Sequence, residues 1–460
     1  MLDRFDCAAI LRCALSGGGE FADIYFEEGS STVILCEDSK IERVLAGADR
    51  GVGIRVISDQ RTAYAYTNEI SESSLLALAQ TVSRAVKGKR YDQTIALMQK
   101  RVGPGFPILL PPEDIPLEEK IATVSAADRA ARGLDRKIRQ VTAMYRDGTA
   151  RNQIVNSHGE FTESTRTGTV FTVQAVAAEG PLIQTGYEAV GGVRGFELLR
   201  TKSPEELALA AAKRSLMMLS AIKAPGGTMA VVLSSEAGGT MVHEAIGHGL
   251  EADLVQAGMS VYAGKIGTQV ASPLVTVIDD ATIANARGSF SFDDEGTPSQ
   301  RTILVENGIL KGYMYDRLSA MKDGCRSTGN GRRESYQTKP IARMTNTLIA
   351  PGTTPAEEII RSVREGLFVK KMGGGQVNTV TGDFVFEVSE GYLISGGEIA
   401  APVRGATLTG NGPDVLNRIT MVGTDLGFGI GTCGKEGQGV PVSDAQPTLL
   451  ISEITVGGTA

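Results

Sequence analysis

Long apolar runs are missing from the 460 residues; no uninterrupted stretch approaches the ~20 that a membrane helix needs. The opening Met1-Leu2-Asp3-Arg4-Phe5-Asp6 carries acid and lacks a basic segment leading into an apolar run, so no secretory signal peptide is expected. An excess of positive charge is missing too. Lys and Arg number 46 against 53 Asp and Glu, and the net charge of −7 argues against direct nucleic-acid binding, for which a basic face is the minimum footprint. The short basic run Lys87-Gly88-Lys89-Arg90 is expected to be a solvated loop. The five cysteines, at 7, 13, 36, 325 and 433, are odd in number and scattered, which suits a reducing cytoplasm better than a disulfide framework. Histidine is the scarcest of the potential metal ligands, with three in the chain. What is present suffices for a soluble enzyme: 42% hydrophobic residues can build sizeable cores, and the length suits two or three average domains.

Two of the three histidines flank one carboxylate in His243-Glu244-Ala245-Ile246-Gly247-His248. The zinc-protease pattern H-E-x-x-H puts its histidines four apart on one helix face, with the glutamate as general base. Here they are five apart. At about 100° per residue, a regular α-helix would turn the second imidazole roughly 140° from the first. A π-bulge or a widened last turn would restore convergence, and Gly247 and Gly249 make a distorted helix end easy. The alternative is that both histidines merely cap and pack a helix.

A catalytic zinc usually takes three protein ligands and one water. Candidates for the third are Glu251, His158 and Cys433. Cys433 lies in Gly431-Thr432-Cys433-Gly434-Lys435, where flanking glycines leave access and Lys435 could favour the thiolate. Against this stands an inert buried thiol. Glu251 could equally orient a ligating imidazole, and His158 is read as a turn residue.

The expected fold class is α+β, with an N-terminal mixed α/β domain over 1–225 and a mainly antiparallel β C-terminal domain over 226–460 carrying the metal-site helix. Strands are expected at 22–28, 31–37 and 52–58, and helices at 71–86 and 117–132. Ser203-Pro204-Glu205-Glu206 starts a helix to about 221, with Ser203 as N-cap and Glu206 completing a capping box. Ala224-Pro225-Gly226-Gly227 breaks the pattern at the domain boundary. Beyond it, a strand over 228–233 feeds the metal-site helix from about Ser235. Strands at 274–278, 384–388 and 448–456 and a helix at 355–367 follow. Gly429 to Glu436 (GIGTCGKE) nearly fits a phosphate-binding loop, but Glu436 replaces the magnesium-holding hydroxyl, so nucleotide binding is discounted. Asp293-Asp294-Glu295 is read as a structural acidic turn.

Several stretches resemble the TldD/PmbA family of metallopeptidases: HEAIGHGLE (243–251), DDEGTP (293–298), GNGRRESY (329–336), RMTNT (343–347), GQVNTVTGDFVFE (375–387), GATLTGNGP (405–413), CGKEGQ (433–438) and the C-terminal ITVGG. The resemblance covers most of 226–460; GVGIRV (51–56) is the clearest point in the first half. Because the histidine motif is kept, the chain resembles the TldD-type subunit. The resemblance implies zinc held by His243, His248 and Cys433, with Glu244 as general base. It also implies a dimer enclosing the site, with a related noncatalytic PmbA/TldE-type subunit or with itself, and small or unfolded peptides as substrate. An exposed strand edge in the second half could hold an extended peptide by main-chain hydrogen bonds. The alternatives are a noncatalytic peptide-binding or assembly subunit with a structural metal, and a metal-dependent amidase.

Overall fold

The computed structural model describes residues 1–89 and 95–458, and Arg90 of the basic run lies outside them. After helix α1 (Cys7–Ala14), the strands expected at 22–28 and 31–37 form a single strand, β1 (Phe21–Glu37). Gly29-Ser30-Ser31 does not break it because these residues are paired on both sides, with 47–49 and with 148–150. Strand β2 (Lys40–Ser58) carries the expected 52–58 segment back to Lys40, and β3 (Arg61–Thr67) follows. Helices α2 (Glu72–Ala85) and α3 (Leu117–Arg132) lie where their apolar periodicity predicts, and the Ser71 side chain caps α2 by accepting from the Ser74 amide. Three long strands come next: β4 (Ile138–Asn156), β5 (Phe161–Glu179) and β6 (Leu182–Gly192). Helix α4 (Pro204–Ser220) has the expected cap, with Ser203 Oγ accepting from the Glu206 amide at 3.4 Å, but the carboxylate that meets Ser203 is that of Glu205, which accepts from the hydroxyl at 2.9 Å.

The order in the first sheet is β3-β2-β1-β4-β5-β6, all antiparallel, with the two-residue strand Arg101–Val102 added parallel to β5. Side chains alternate between the two faces of a strand. One face supplies Ile24, Phe26, Ile54, Tyr145, Phe171 and Val173 to the cores that α1, α2, α3 and α4 cover. The other face, with Tyr25, Glu27, Asn152 and Arg166, carries none of these helices and turns toward the second half of the chain.

In that second half, β7 (Gly227–Leu233) leads into the histidine segment. Strands β8 (Val277–Asp280) and β9 (Asn346–Ile349) follow, β8 starting later than the expected 274–278. The helix expected at 355–367 is confined to Ala356–Ser362, because Glu365 already begins β10 (Glu365–Val377) and buries Leu367, Phe368 and Val369 between sheet neighbours. Among the later strands are β11 (Asp383–Ser395), β12 (Thr407–Asn411), β13 (Gly427–Lys435), β14 (Gln438–Gln446) and β15 (Leu449–Gly457). Strands β10, β7, β15, β12 and β11 pair in that order, and β11 pairs back onto β10, closing a ring. A second sheet runs β8-β9-β14-β13, with β13 at one edge and the strands Arg301–Glu306 and Ile309–Leu310 continuing it beyond β8. Pairing is mainly antiparallel, with parallel exceptions at β7–β10 and β9–β14.

The two halves are tied by buried charge. Arg55 on β2 is fully buried, donates to Asp23 from Nε at 2.9 Å, and reaches Glu295 with Nη1 at 2.6 Å. The acidic turn is structural in the same sense. Asp293 accepts the amides of Glu295, Thr297 and Gly331, and Asp294 accepts that of Arg333. Arg55→Met should lower unfolding free energy by about 3–5 kcal/mol in a urea titration, since it leaves two buried carboxylates without their cation. A loss below about 1 kcal/mol would contradict this role.

Candidate metal centre

The helix expected from Ser235 is a chain of short turns. Ser235–Ala237 is a 3₁₀ turn, Thr240–Val242 a single α turn, His243–Gly247 a π turn and His248–Leu250 a second 3₁₀ turn. The extra residue is absorbed in the π turn, where the His248 amide donates to the His243 carbonyl, an i→i+5 bond. The Ala245 carbonyl inside the turn accepts from the Tyr262 hydroxyl at 2.8 Å. Gly247 keeps a right-handed helical φ of −54°, so backbone freedom is not what it provides. A Cβ there would sit 2.3 Å from Met344 Sδ, and one on Gly249 would sit 2.6 Å from the Tyr262 ring. Both glycines are sites of close approach.

The widened turn brings the imidazoles together, with ring centroids 5.0 Å apart at 85°. Cys433, on β13 opposite Val440 of β14, joins them, and one donor atom from each of His243, His248 and Cys433 lies within 4.8 Å of the others. Cys433 Sγ is 3.6 Å from His248 Nε2. Tetrahedral coordination at zinc–nitrogen and zinc–sulfur bond lengths separates such donors by about 3.6 Å, so this donor set fits a zinc ion.

Supporting groups surround it. Glu251 Oε2 lies 3.1 Å from His248 Nδ1, the orienting arrangement that the sequence offered as one option for Glu251. Lys435 is not a partner of the thiol. Its ammonium meets Glu251 at 3.1 Å, Asp253 at 2.6 Å and the Ala342 carbonyl at 2.9 Å. Arg343, fully buried, donates to the Cys433 carbonyl and, at 3.2 Å, to that of Gln438, fixing the β13–β14 hairpin. Asp444 accepts the Gly239 amide at 3.0 Å and stands 3.9 Å from His243 Nδ1, which makes no hydrogen bond among the described residues.

The electrostatics favour an anionic sulfur. Burial opposes the Cys433 thiolate, but hydrogen bonding from His243 and His248 overcomes it and draws the thiol down to about 5. Burial likewise opposes the His248 imidazolium, and Glu251 and Cys433 outweigh it, lifting the group well above the ordinary imidazole value. Glu251 is held at about 2: burial would raise it, and Lys435 and His248 more than compensate. Glu244, half-buried beside His243, is raised, chiefly by burial.

The other proposed ligand stays apart. His158 occupies the turn between β4 and β5, where its amide donates to Asn156 Oδ1 and its ring packs edge-on against Phe21 with centroids 5.2 Å apart. Gly429 to Lys435 of the GIGTCGKE segment belong to β13 and Glu436 to the turn into β14, without the helix a phosphate loop requires. The sequence reading assigned no role to Tyr262, Arg343 or Asp444, although Arg343 opens the RMTNT stretch; each acts on a backbone group 17 or more positions away, which no local spacing reveals.

Family models for the PmbA/TldA metallopeptidases match the chain over 22–88 (domain 1), 110–219 (central domain) and 226–458 (C-terminal domain). A Haemophilus influenzae protein named metalloprotease TldD homolog is 40% identical over 449 residues, covering 96% of this chain and 93% of that protein. A Saccharolobus solfataricus protein named zinc metalloprotease TldD homolog is 28% identical over 96% of this chain and 97% of its own length. Among solved structures, a Thermotoga maritima protein described as a candidate modulator of DNA gyrase superposes with a TM-score of 0.78 at 24% identity, over 95% of this chain and 96% of that one. TldE from Thermococcus kodakarensis superposes at 0.75 and 17% identity, over 98% and 99%. These two establish a shared fold.

Glu251→Gln removes the charge that holds both His248 and Lys435. Zinc affinity, measured by competition with a chelating dye, should fall about 10–100-fold. An unchanged affinity would mean that Glu251 does not position the imidazole.

Proposed function

The chain belongs to the PmbA/TldA metallopeptidase family, and from that premise we propose that it is a zinc-dependent peptidase in which His243, His248 and Cys433 hold the metal and Glu244 is the general base. The observation that carries this reading is the convergence, within 4.8 Å, of a thiol on β13 with two imidazoles that regular helix geometry would have splayed. The nitrogen and sulfur donors and the name of the Saccharolobus relative support zinc as the metal. Zinc bound there would supply Lewis acidity to a water and to a peptide carbonyl.

The remaining roles belong to the chain's own groups. Glu244 adjoins His243 and is half-buried, and burial raises its proton affinity, the direction that favours a group that accepts and returns a proton. It takes the proton of the attacking water and delivers it to the leaving amine. Glu251 and Lys435 hold His248 in orientation, and Arg343 does the same for the strand bearing Cys433.

The same reading assigns short or unfolded peptides as substrates and a dimer with a TldE-type subunit or a second copy as the working form. It places the domain division at 225/226 and the protein in the reducing cytoplasm, in keeping with five free thiols.

The test combines metal analysis with hydrolysis of mixed unstructured peptides, with and without a coexpressed TldE-type subunit. The parent and Glu244→Gln should both hold close to one zinc per chain, whereas Cys433→Ala should lose most of it. Hydrolysis should fall by about 10²–10⁴-fold in Glu244→Gln. Retained zinc in Cys433→Ala would remove the thiol from the ligand set. Undiminished cleavage by Glu244→Gln would overturn the mechanism, and cleavage of small amides in place of peptides would redirect it to an amidase.

A further inference from the structure

The helix-free face of the first sheet and the second half of the chain enclose a cleft of about 710 Å³, a size typical of small-ligand sites. The centre of its floor is nearly bare. Gly47, Ser31, Gly148 and Gly168 are directly opposed across β2, β1, β4 and β5, a row of four positions with one small side chain. A Cβ built on Gly47 meets nothing within 4 Å, and one on Gly168 comes no closer than 3.5 Å to a neighbour. The room above the row exists because side chains are omitted from it.

Two guanidinium groups border this trough. Arg146 lies on the same face of β4, two residues from Gly148. Arg287 lines the opposite wall, pinned by Nε to the Gly431 carbonyl at 3.1 Å and by Nη2 to the Thr432 hydroxyl at 3.3 Å. Neither has a carboxylate partner among the described residues. Burial, and then the charge of Arg146, draws Arg287 down to about 10. Deeper in, among the described residues, Arg332 donates only to the carbonyls of Met344 and Pro441, each at 2.7 Å, and the buried Nε atoms of Arg332 and Arg333 make no hydrogen bond.

Among the described residues, five carboxylates line the cleft, and none forms an ion pair with Arg146 or Arg287: Asp49 accepts the Arg50 amide at 2.8 Å and Glu334 the Gly439 amide at 3.2 Å. Asp147 is bound to Lys120 at 2.5 Å, and Asp294 to Arg166 at 3.0 Å. Glu27 sits at the other end, because Arg146 opposes Val33 of β1, six residues or about 20 Å along the strand. The cleft is therefore polarised, and its acidic end disfavours a polyanion. Arginine forks match a single carboxylate bidentately. Thr432 lines the cleft while Cys433, its neighbour on β13, faces the metal centre, so the two sites occupy opposite sides of one strand.

We propose that Arg146 and Arg287 form a subsite for the free C-terminal carboxylate of a short peptide whose backbone lies over the glycine row. The choice of a peptide as occupant rests on the peptidase reading; the carboxylate chemistry stands on the cleft alone.

The test is calorimetric binding to the full chain carrying Glu244→Gln, using one unstructured hexapeptide as free acid and as C-terminal amide. The free acid should bind about tenfold or more tightly. Arg146→Gln or Arg287→Gln, each added to that background, should bring its affinity to within about twofold of the amide. Equal binding of the two forms, or a preference that survives both substitutions, would overturn the proposal. Displacement by inorganic phosphate with no discrimination between acid and amide would also overturn it, as an anion site without a peptide terminus. Zinc content of the same samples separates the two readings: metal lost in the parent undermines the peptidase, whereas carboxylate discrimination lost with metal retained undermines only the subsite.

Discussion

One hydrogen bond, from the His248 amide to the His243 carbonyl, determines whether this chain has a three-donor centre at all. In a regular α-helix the amide would have reached one residue less far back, and the imidazoles would have pointed apart. The π turn is sustained by its surroundings. Tyr262 satisfies the Ala245 carbonyl, Met344 fills the space against Gly247, and Met241, Val242, Ala245, Ile246 and Leu250 are buried in one core with side chains of the strand ring. The ring thus acts as a mould for an irregular turn that local propensity would not favour.

The ionic groups around the centre follow a single logic. Glu251 is fully buried and tolerable there only because Lys435 and His248 face it, while Arg343 spends its donors on main-chain carbonyls of the hairpin bearing Cys433. The Arg55, Asp23 and Glu295 cluster applies the same device between the two halves of the chain. Buried pairs of this kind add little net stability over apolar packing, but removing one member is severe. Their effect is to admit one arrangement of the groups they join.

Part of the centre was legible in the sequence, since the five-residue spacing allowed the two imidazoles to converge only through a π turn or its equivalent, with a capped and packed helix as the alternative. The third donor was not. Cys433 stands 185 positions from His248, and only its resemblance to a family motif separated it from Glu251 and His158. Lys435 shows the limit of proximity arguments. Two residues from Cys433 on the same strand, it bonds to Glu251 and Asp253 instead of serving the thiol. In the fold, the helices starting at 72, 117 and 204 were readable because apolar spacing is local, as are the serine caps of the first and last. The lengths of β1 and β2 were not, because Gly29 and Gly47 resemble turn signals, yet pairing with neighbouring strands keeps them extended. Strands β4 and β5 carried no plain signal: glycines and arginines such as Arg146, Gly148, Arg166 and Gly168 interrupt the alternation on the face that lines the cleft.

The central claim is the donor set, and zinc K-edge X-ray absorption on the purified full chain tests it most directly. The account predicts one sulfur at about 2.3 Å and two imidazole nitrogens at about 2.0 Å, with any further donor a light atom. A spectrum without sulfur, or with two sulfurs, would contradict it.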